Sequence, residues 1–185
     1  MLYALLIIIA TFITVGIASG GRLSALALLR PRASGLAFVA LAVMVVAPFI
    51  DGIGPTADRA LIGVTYALVA AFLALNVGRR DGWARIGIVL LIVGWTLNAL
   101  VIGLNRGMPL SLDAYRASGQ TAPPTPGEGG FFKLVIADDS TLLLPLGDVI
   151  PVHPLRQVFS AGDLVLLAGL GTILTAGMHQ RGSTA

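Results

Sequence analysis

Five long apolar runs, at residues 2–19, 35–50, 60–77, 86–104 and 158–178, take up most of this chain. Each is close to the roughly 17–25 residues that an α-helix needs to cross a bilayer's hydrocarbon core. Only 11% of the residues are charged, under half the roughly 25% of a soluble domain, so the chain cannot cover a water-facing surface. These facts predict an all-α integral membrane protein: a five-helix transmembrane bundle with a water-facing loop. The first run carries no basic residue ahead of it and is longer than the core of a signal peptide, so it reads as a retained transmembrane helix.

The charges are few but sorted. Arg22, Arg30, Arg32, Arg79, Arg80, Arg85 and Arg181 fall in the segments on one side of the predicted spans, against a single acid, Asp81. Five basic and eight acidic residues fall on the other side. The positive-inside rule then predicts a plasma-membrane protein with its N-terminus outside and its C-terminus in the cytoplasm. The same distribution argues against nucleic acid as the partner of the net +3 charge; membrane lipid is the expected one. There is no cysteine, and the two histidines, His153 and His179, lie far apart. No metal site and no cofactor are implied.

The chain divides into residues 1–104 with four spans, an extracytoplasmic loop at 105–157, and residues 158–185 with the fifth span and a cytoplasmic tail. The loop holds seven of the ten prolines. Its 117–130 stretch is a Pro/Gly/Thr-rich linker. Residues 131–136 favour a strand, Asp138-Asp139-Ser140-Thr141 reads as a turn and Leu142-Leu143-Leu144 returns, which predicts a small β-hairpin. On the opposite side, Leu23, Leu26 and Leu29 share one helical face, as in a short interfacial helix or an extension of the first span. Asp58 or Thr56 is the expected cap of the third span.

Small residues recur every fourth position within spans: Ala10, Thr14 and Ala18; Gly63, Ala67 and Ala71; Ala168, Thr172 and Ala176. Such stripes let helix backbones approach closely in lipid. Packing within the bundle is the first expectation; a homo-oligomer or docking onto other membrane subunits is the second. Asn98, inside the fourth span, should hydrogen-bond across helices. Asn105 and Arg106 follow at that span's end, where Arg106, or else Arg156, could pair with Asp163 or Asp148.

Those two aspartates are the chain's one chemical lead. Ser160 and Asp163 have the Ser/Thr-x-x-Asp/Glu spacing of a capping box, at the entry of the last span. Asp148 sits in Leu146-Gly147-Asp148-Val149-Ile150-Pro151, a turn-like stretch. Read separately, each is structural. Read together in a partly dry site, two carboxylates keep one proton between them and supply a general acid and a general base.

Residues 147–171 resemble the C-terminal part of lipoprotein signal peptidase, an intramembrane aspartic peptidase family. The resemblance would make Asp148 and Asp163 the catalytic pair and Phe159 the motif phenylalanine. Ser160 stands where that family has asparagine, and Gly162 where it has alanine. Over more of its length the chain resembles an uncharacterised family of bacterial multi-pass membrane proteins. The shared features are Asn98 and Asn105 before Met108-Pro109, then 146–151, then Phe159-Ser160-Ala161-Gly162-Asp163. Two functions therefore stand side by side. One is a non-catalytic membrane protein, an accessory or scaffold subunit in which Asn98, Asn105, Arg106, Phe159 and Ser160 form contacts. The other is an intramembrane aspartic hydrolase using Asp148 and Asp163.

Overall fold

The computed structural model describes residues 2–47, 50, 55–122 and 134–180. All five apolar runs fold as helices: α1 (Leu2–Ala18), α2 (Ser34–Val46), α3 (Pro55–Val77), α4 (Gly82–Asn105) and α6 (Ala161–Met178), with a short α5 (Leu112–Ala117) before the last. Three stretches are long and apolar enough to cross a membrane, Ala60–Val77, Gly82–Asn105 and Ala161–Met178. The apolar helices Leu6–Ala18 and Ser34–Val46 are shorter. At 13 residues, α2 is about 20 Å long, well under a hydrocarbon core of about 30 Å. Three of the five expected spans are thus present as helices of spanning length. α3 begins at Pro55, which suits a first helical position. Thr56 and Asp58 therefore lie inside its first turn rather than ahead of it.

The best-packed pair is α4 against α6, and glycine explains it. Gly87 and Gly94 stand seven residues apart on α4, as do Gly162 and Gly169 on α6. A methyl group on Gly94 would come within 2.6 Å of the Gly162 carbonyl oxygen, and one on Gly169 within 2.8 Å of the Gly87 carbonyl oxygen. The antiparallel helices meet backbone to backbone at both levels. In lipid, where apolar side chains gain nothing by leaving their surroundings, such contact is what favours association.

The four-residue stripes behave differently. Ala10, Thr14 and Ala18 on α1, and Gly63, Ala67 and Ala71 on α3, are all exposed. They do not pack within this chain. α1 meets α6 elsewhere: the Phe12 ring fills the space left by Gly171, and Met178, fully buried, fills that left by Gly16. Leu23–Leu28 forms a single short 3-10 helix, and Leu26 and Leu29 cover Gly177.

The segment between α4 and α6 folds back on the end of this pair. Strand β1 (Met108–Leu110), fully buried, pairs in parallel with β2 (Leu134–Ile136). On its other side Leu110 bridges to Asp148. A true hairpin follows, with β3 (Ile150–Val152) antiparallel to β4 (Gln157–Phe159) around His153–Leu155. The expected hairpin therefore lies elsewhere: residues 134–136 pair with β1 and not with 142–144. The 138–141 turn does form, with Asp138 Oδ1 accepting from the Ser140 amide at 2.8 Å. Residues 123–130 of the predicted linker, residues 131–133 of the predicted strand and Asp51 lie outside the described residues.

Candidate functional site

Asn98 is 7% exposed within apolar α4, where that helix meets the first turn of α6. A buried amide needs partners, because in hydrocarbon each unsatisfied polar group costs several kcal/mol. α6 supplies them from its first turn. Asn98 Nδ2 donates to Asp163 Oδ1 at 2.8 Å, and Ser160 Oγ donates to Asn98 Oδ1 at 3.0 Å. Ser160 Oγ in turn accepts from the Asp163 amide at 2.9 Å, and Asp163 Oδ2 accepts from the Ser160 amide at 3.0 Å. The capping box is therefore present and is extended across the helix pair by Asn98.

Every position in Ser160-Ala161-Gly162-Asp163 but Ala161 now has a physical reason. Ser160 is the cap and is completely buried. Asp163 is the acid at the third helical position, where the helix dipole also favours a negative charge. Gly162 is bare because the Asn98 amide occupies the place of its side chain.

Asp148 is fixed through its backbone. Its amide donates to the Pro109 carbonyl at 2.8 Å and its carbonyl accepts from the Ser111 amide at 3.0 Å. A methyl on Gly147 would lie 2.7 Å from that same Pro109 oxygen. This explains the Gly-Asp order: glycine lets the strand touch β1, and the next residue turns its carboxyl toward the α6 entry. The side chain is half-buried. Burial, and then the negative charge of Asp163, push its carboxyl up to about 7. The two aspartates named from sequence therefore do sense each other. The mechanism is the one expected of a carboxylate pair, in which one ionised member favours the proton on the other.

Asn105 acts as a clamp. Its Nδ2 donates to the carbonyls of Val101, at 2.9 Å, and Leu142, at 2.8 Å, while its Oδ1 accepts from the Leu142 amide at 2.9 Å. Phe159 pairs with Ile150 in the hairpin and leads the chain into the Ser160 cap. Arg106 departs from expectation. It is an exposed left-handed helix cap, with φ 59°, and makes no ion pair among the described residues. Arg156 instead donates to the Gly119 carbonyl, from Nη2 at 2.9 Å. Among the described residues the ion pair present is Arg116–Asp113, at 3.5 Å on the surface. Among them, too, no three His, Asp or Glu side chains gather as a metal site.

Tyr66 and Trp95 were not anticipated. Their rings pack at 4.3 Å, Trp95 Nε1 donates to the Tyr66 carbonyl at 3.3 Å, and Tyr66 lies within electrostatic reach of Asp163. An aromatic pair 29 residues apart on two helices has no local signature. The one hint was a tyrosine beside Thr65 amid apolar residues.

Replacing Asp163 with asparagine is expected to destabilise the fold by about 1–3 kcal/mol, because both donors now facing the carboxylate cannot be satisfied by one amide. It should also lower the Asp148 titration in part, burial being the larger cause of its rise. Thermal unfolding and a carboxyl-carbon NMR titration of the same variant read both effects.

The fold and this site define a helical membrane protein with a polar lock at one end of its tightest helix pair. The chain belongs to a family of unknown function, DUF5317, whose model matches residues 29–175 and so includes the lock, Asp148 and Asn105. No curated protein and no solved structure matches the chain.

Proposed function

We propose that this is a non-catalytic integral membrane protein, a scaffold or accessory subunit of a larger assembly in the bacterial plasma membrane. The arginine distribution favours an external N-terminus and a cytoplasmic C-terminus. The observation that carries the reading is the state of Asp163. Both of its oxygens already accept hydrogen bonds, from Asn98 and from the Ser160 amide. The residue serves as a fastener between helices, with an acceptor site on each oxygen committed to the lock. A second observation supplies contact surface: the small-residue stripes of α1 and α3 face outward, where a neighbouring helix could approach them.

Native mass spectrometry of particles taken from the membrane with their surrounding lipid tests this reading. The expected result is a defined particle larger than one chain, lost when Ala67 is changed to tryptophan. A single chain in every preparation would contradict it.

One observation favours the alternative, an aspartic hydrolase acting on membrane-anchored peptides. Burial, and then the charge of Asp163, raise the Asp148 carboxyl to about 7, as suits a general-acid partner. In that case Asp148→Asn should abolish turnover of such peptides while the protein accumulates normally. Turnover persisting in an Asp148→Asn/Asp163→Asn double variant would remove this alternative.

A further inference from the structure

At the opposite end of the bundle from the lock, three arginines share one cleft. Arg30 comes from the α1–α2 connection, and Arg79 and Arg80 from the end of α3. With Leu28 and Asn76 they line a cavity of about 170 Å³.

Asn76 builds the place. It is 5% exposed. Its Oδ1 accepts from the Arg32 amide at 2.8 Å, and its Nδ2 donates to the Arg32 carbonyl at 3.0 Å and to the Phe72 carbonyl at 2.7 Å. One buried amide thereby pins a loop 44 residues away onto the end of α3, and this sets Arg30 beside Arg79 and Arg80. Three guanidinium groups so gathered repel one another unless something neutralises them. None makes an ion pair among the described residues. The acid closest in sequence, Asp81, is exposed at the start of α4, and its side chain makes no capping bond there.

The level in the membrane is also informative. The apolar stretch of α3 ends at Val77. Trp83, 71% exposed, stands in the first turn of α4, three residues after Arg80, and amphipathic rings of this kind mark a membrane–water interface. Leu28 gives the cleft an apolar edge. Arginine forks match phosphate oxygens in pairs, and basic pockets at this depth suit lipid phosphate groups.

We propose that the Arg30–Arg79–Arg80 cleft is a binding site for a phosphate-bearing anion, supplied by an anionic lipid headgroup or by free phosphate.

The test uses the full chain in a neutral detergent, with added phosphatidylglycerol in one arm and inorganic phosphate in the other. Bound lipid is counted by native mass spectrometry, and both arms are followed by thermal unfolding. The expected result is retention or a rise in Tm in at least one arm, weakened ten-fold or more in Arg30→Gln/Arg79→Gln/Arg80→Gln. An Arg22→Gln/Arg85→Gln variant, which removes charge from the same end but not from the cleft, should keep it. The arm that responds identifies the source of the phosphate. If neither arm responds, or if both variants lose binding equally, the site does not exist. Should the triple variant fail to fold, Arg80→Gln alone carries the comparison, with the same expected direction and the same overturning result.

Discussion

Gly162→Ala is expected to destabilise the protein by about 3 kcal/mol or more. A single added methyl group would occupy the position of the Asn98 side-chain amide and approach the Gly94 carbonyl oxygen within 2.8 Å. Overpacking a tight interface alone costs about 1–3 kcal/mol. Here the obstructed group is also a hydrogen-bonding hub, so displacing Asn98 strands acceptors and donors on Asp163 and Ser160, for about 1–3 kcal/mol more. The control is Gly103→Ala, at an exposed position of α4 with open space around it. It should be neutral or slightly stabilising, because alanine is the better helix former. Thermal unfolding in detergent compares the two, and equal effects would mean that the α4–α6 contact is not as close as described.

Asp148→Asn is expected to stabilise the protein above pH 8 and to leave it nearly unchanged at pH 4. In the unfolded chain this carboxyl titrates near 3.8, and in the folded protein near 7. Between those values the folded state holds a proton that the unfolded state has released, so stability falls as pH rises from about 4 to about 7 and is level beyond. The contribution is fully present below the unfolded value and lost as pH passes through the folded one. The interval corresponds to at most about 4 kcal/mol, and partial exposure of the side chain reduces this to about 2. Asparagine removes the slope because it resembles the protonated acid. Unfolding midpoints measured from pH 4 to pH 9 should converge at the acid end and diverge at the alkaline end. Parallel curves would mean that Asp148 titrates as an ordinary exposed acid.

What the sequence made legible was local. Five runs of apolar residues had to be helices, and the three-residue offset from Ser160 to Asp163 had to be a capping box if a helix began there. Asn98 needed a partner across helices, though not a particular one. The partner was hidden because nothing near Asn98 refers to a turn 65 residues away. The same reason hid the β1–β2 pairing, which joins residues 108–110 to 134–136 in parallel; a hairpin between neighbouring strands was the simpler local reading. The true hairpin was masked by Pro151 and Pro154, which suggested a turn-rich loop. The glycine contacts were missed for a different reason. Four-residue spacing is the usual mark of close packing in lipid, whereas Gly87 and Gly94, and Gly162 and Gly169, recur at seven, two turns of helix. The four-residue stripes on α1 and α3 were real in sequence but point away from the chain's own core. Arg106, a possible partner of either aspartate by its place at the end of the fourth span, sits at a left-handed cap and is exposed.

These placements bear on function through one question: whether Asp163 is committed to holding helices together. Hydrogen–deuterium exchange of the wild-type protein against Asn98→Ala tests this most directly. Removing Asn98 deletes the side chain that joins α4 to the capping box. If the lock holds the strand-bearing end in place, amides across 148–159, including that of Asp148, which bonds to Pro109, should exchange at least ten-fold faster in the variant. Those of α3 near Arg79 should be unchanged. Exchange at 148–159 equal to wild type would contradict a structural role for the cluster, freeing Asp163 for chemistry and shifting the balance to the hydrolase.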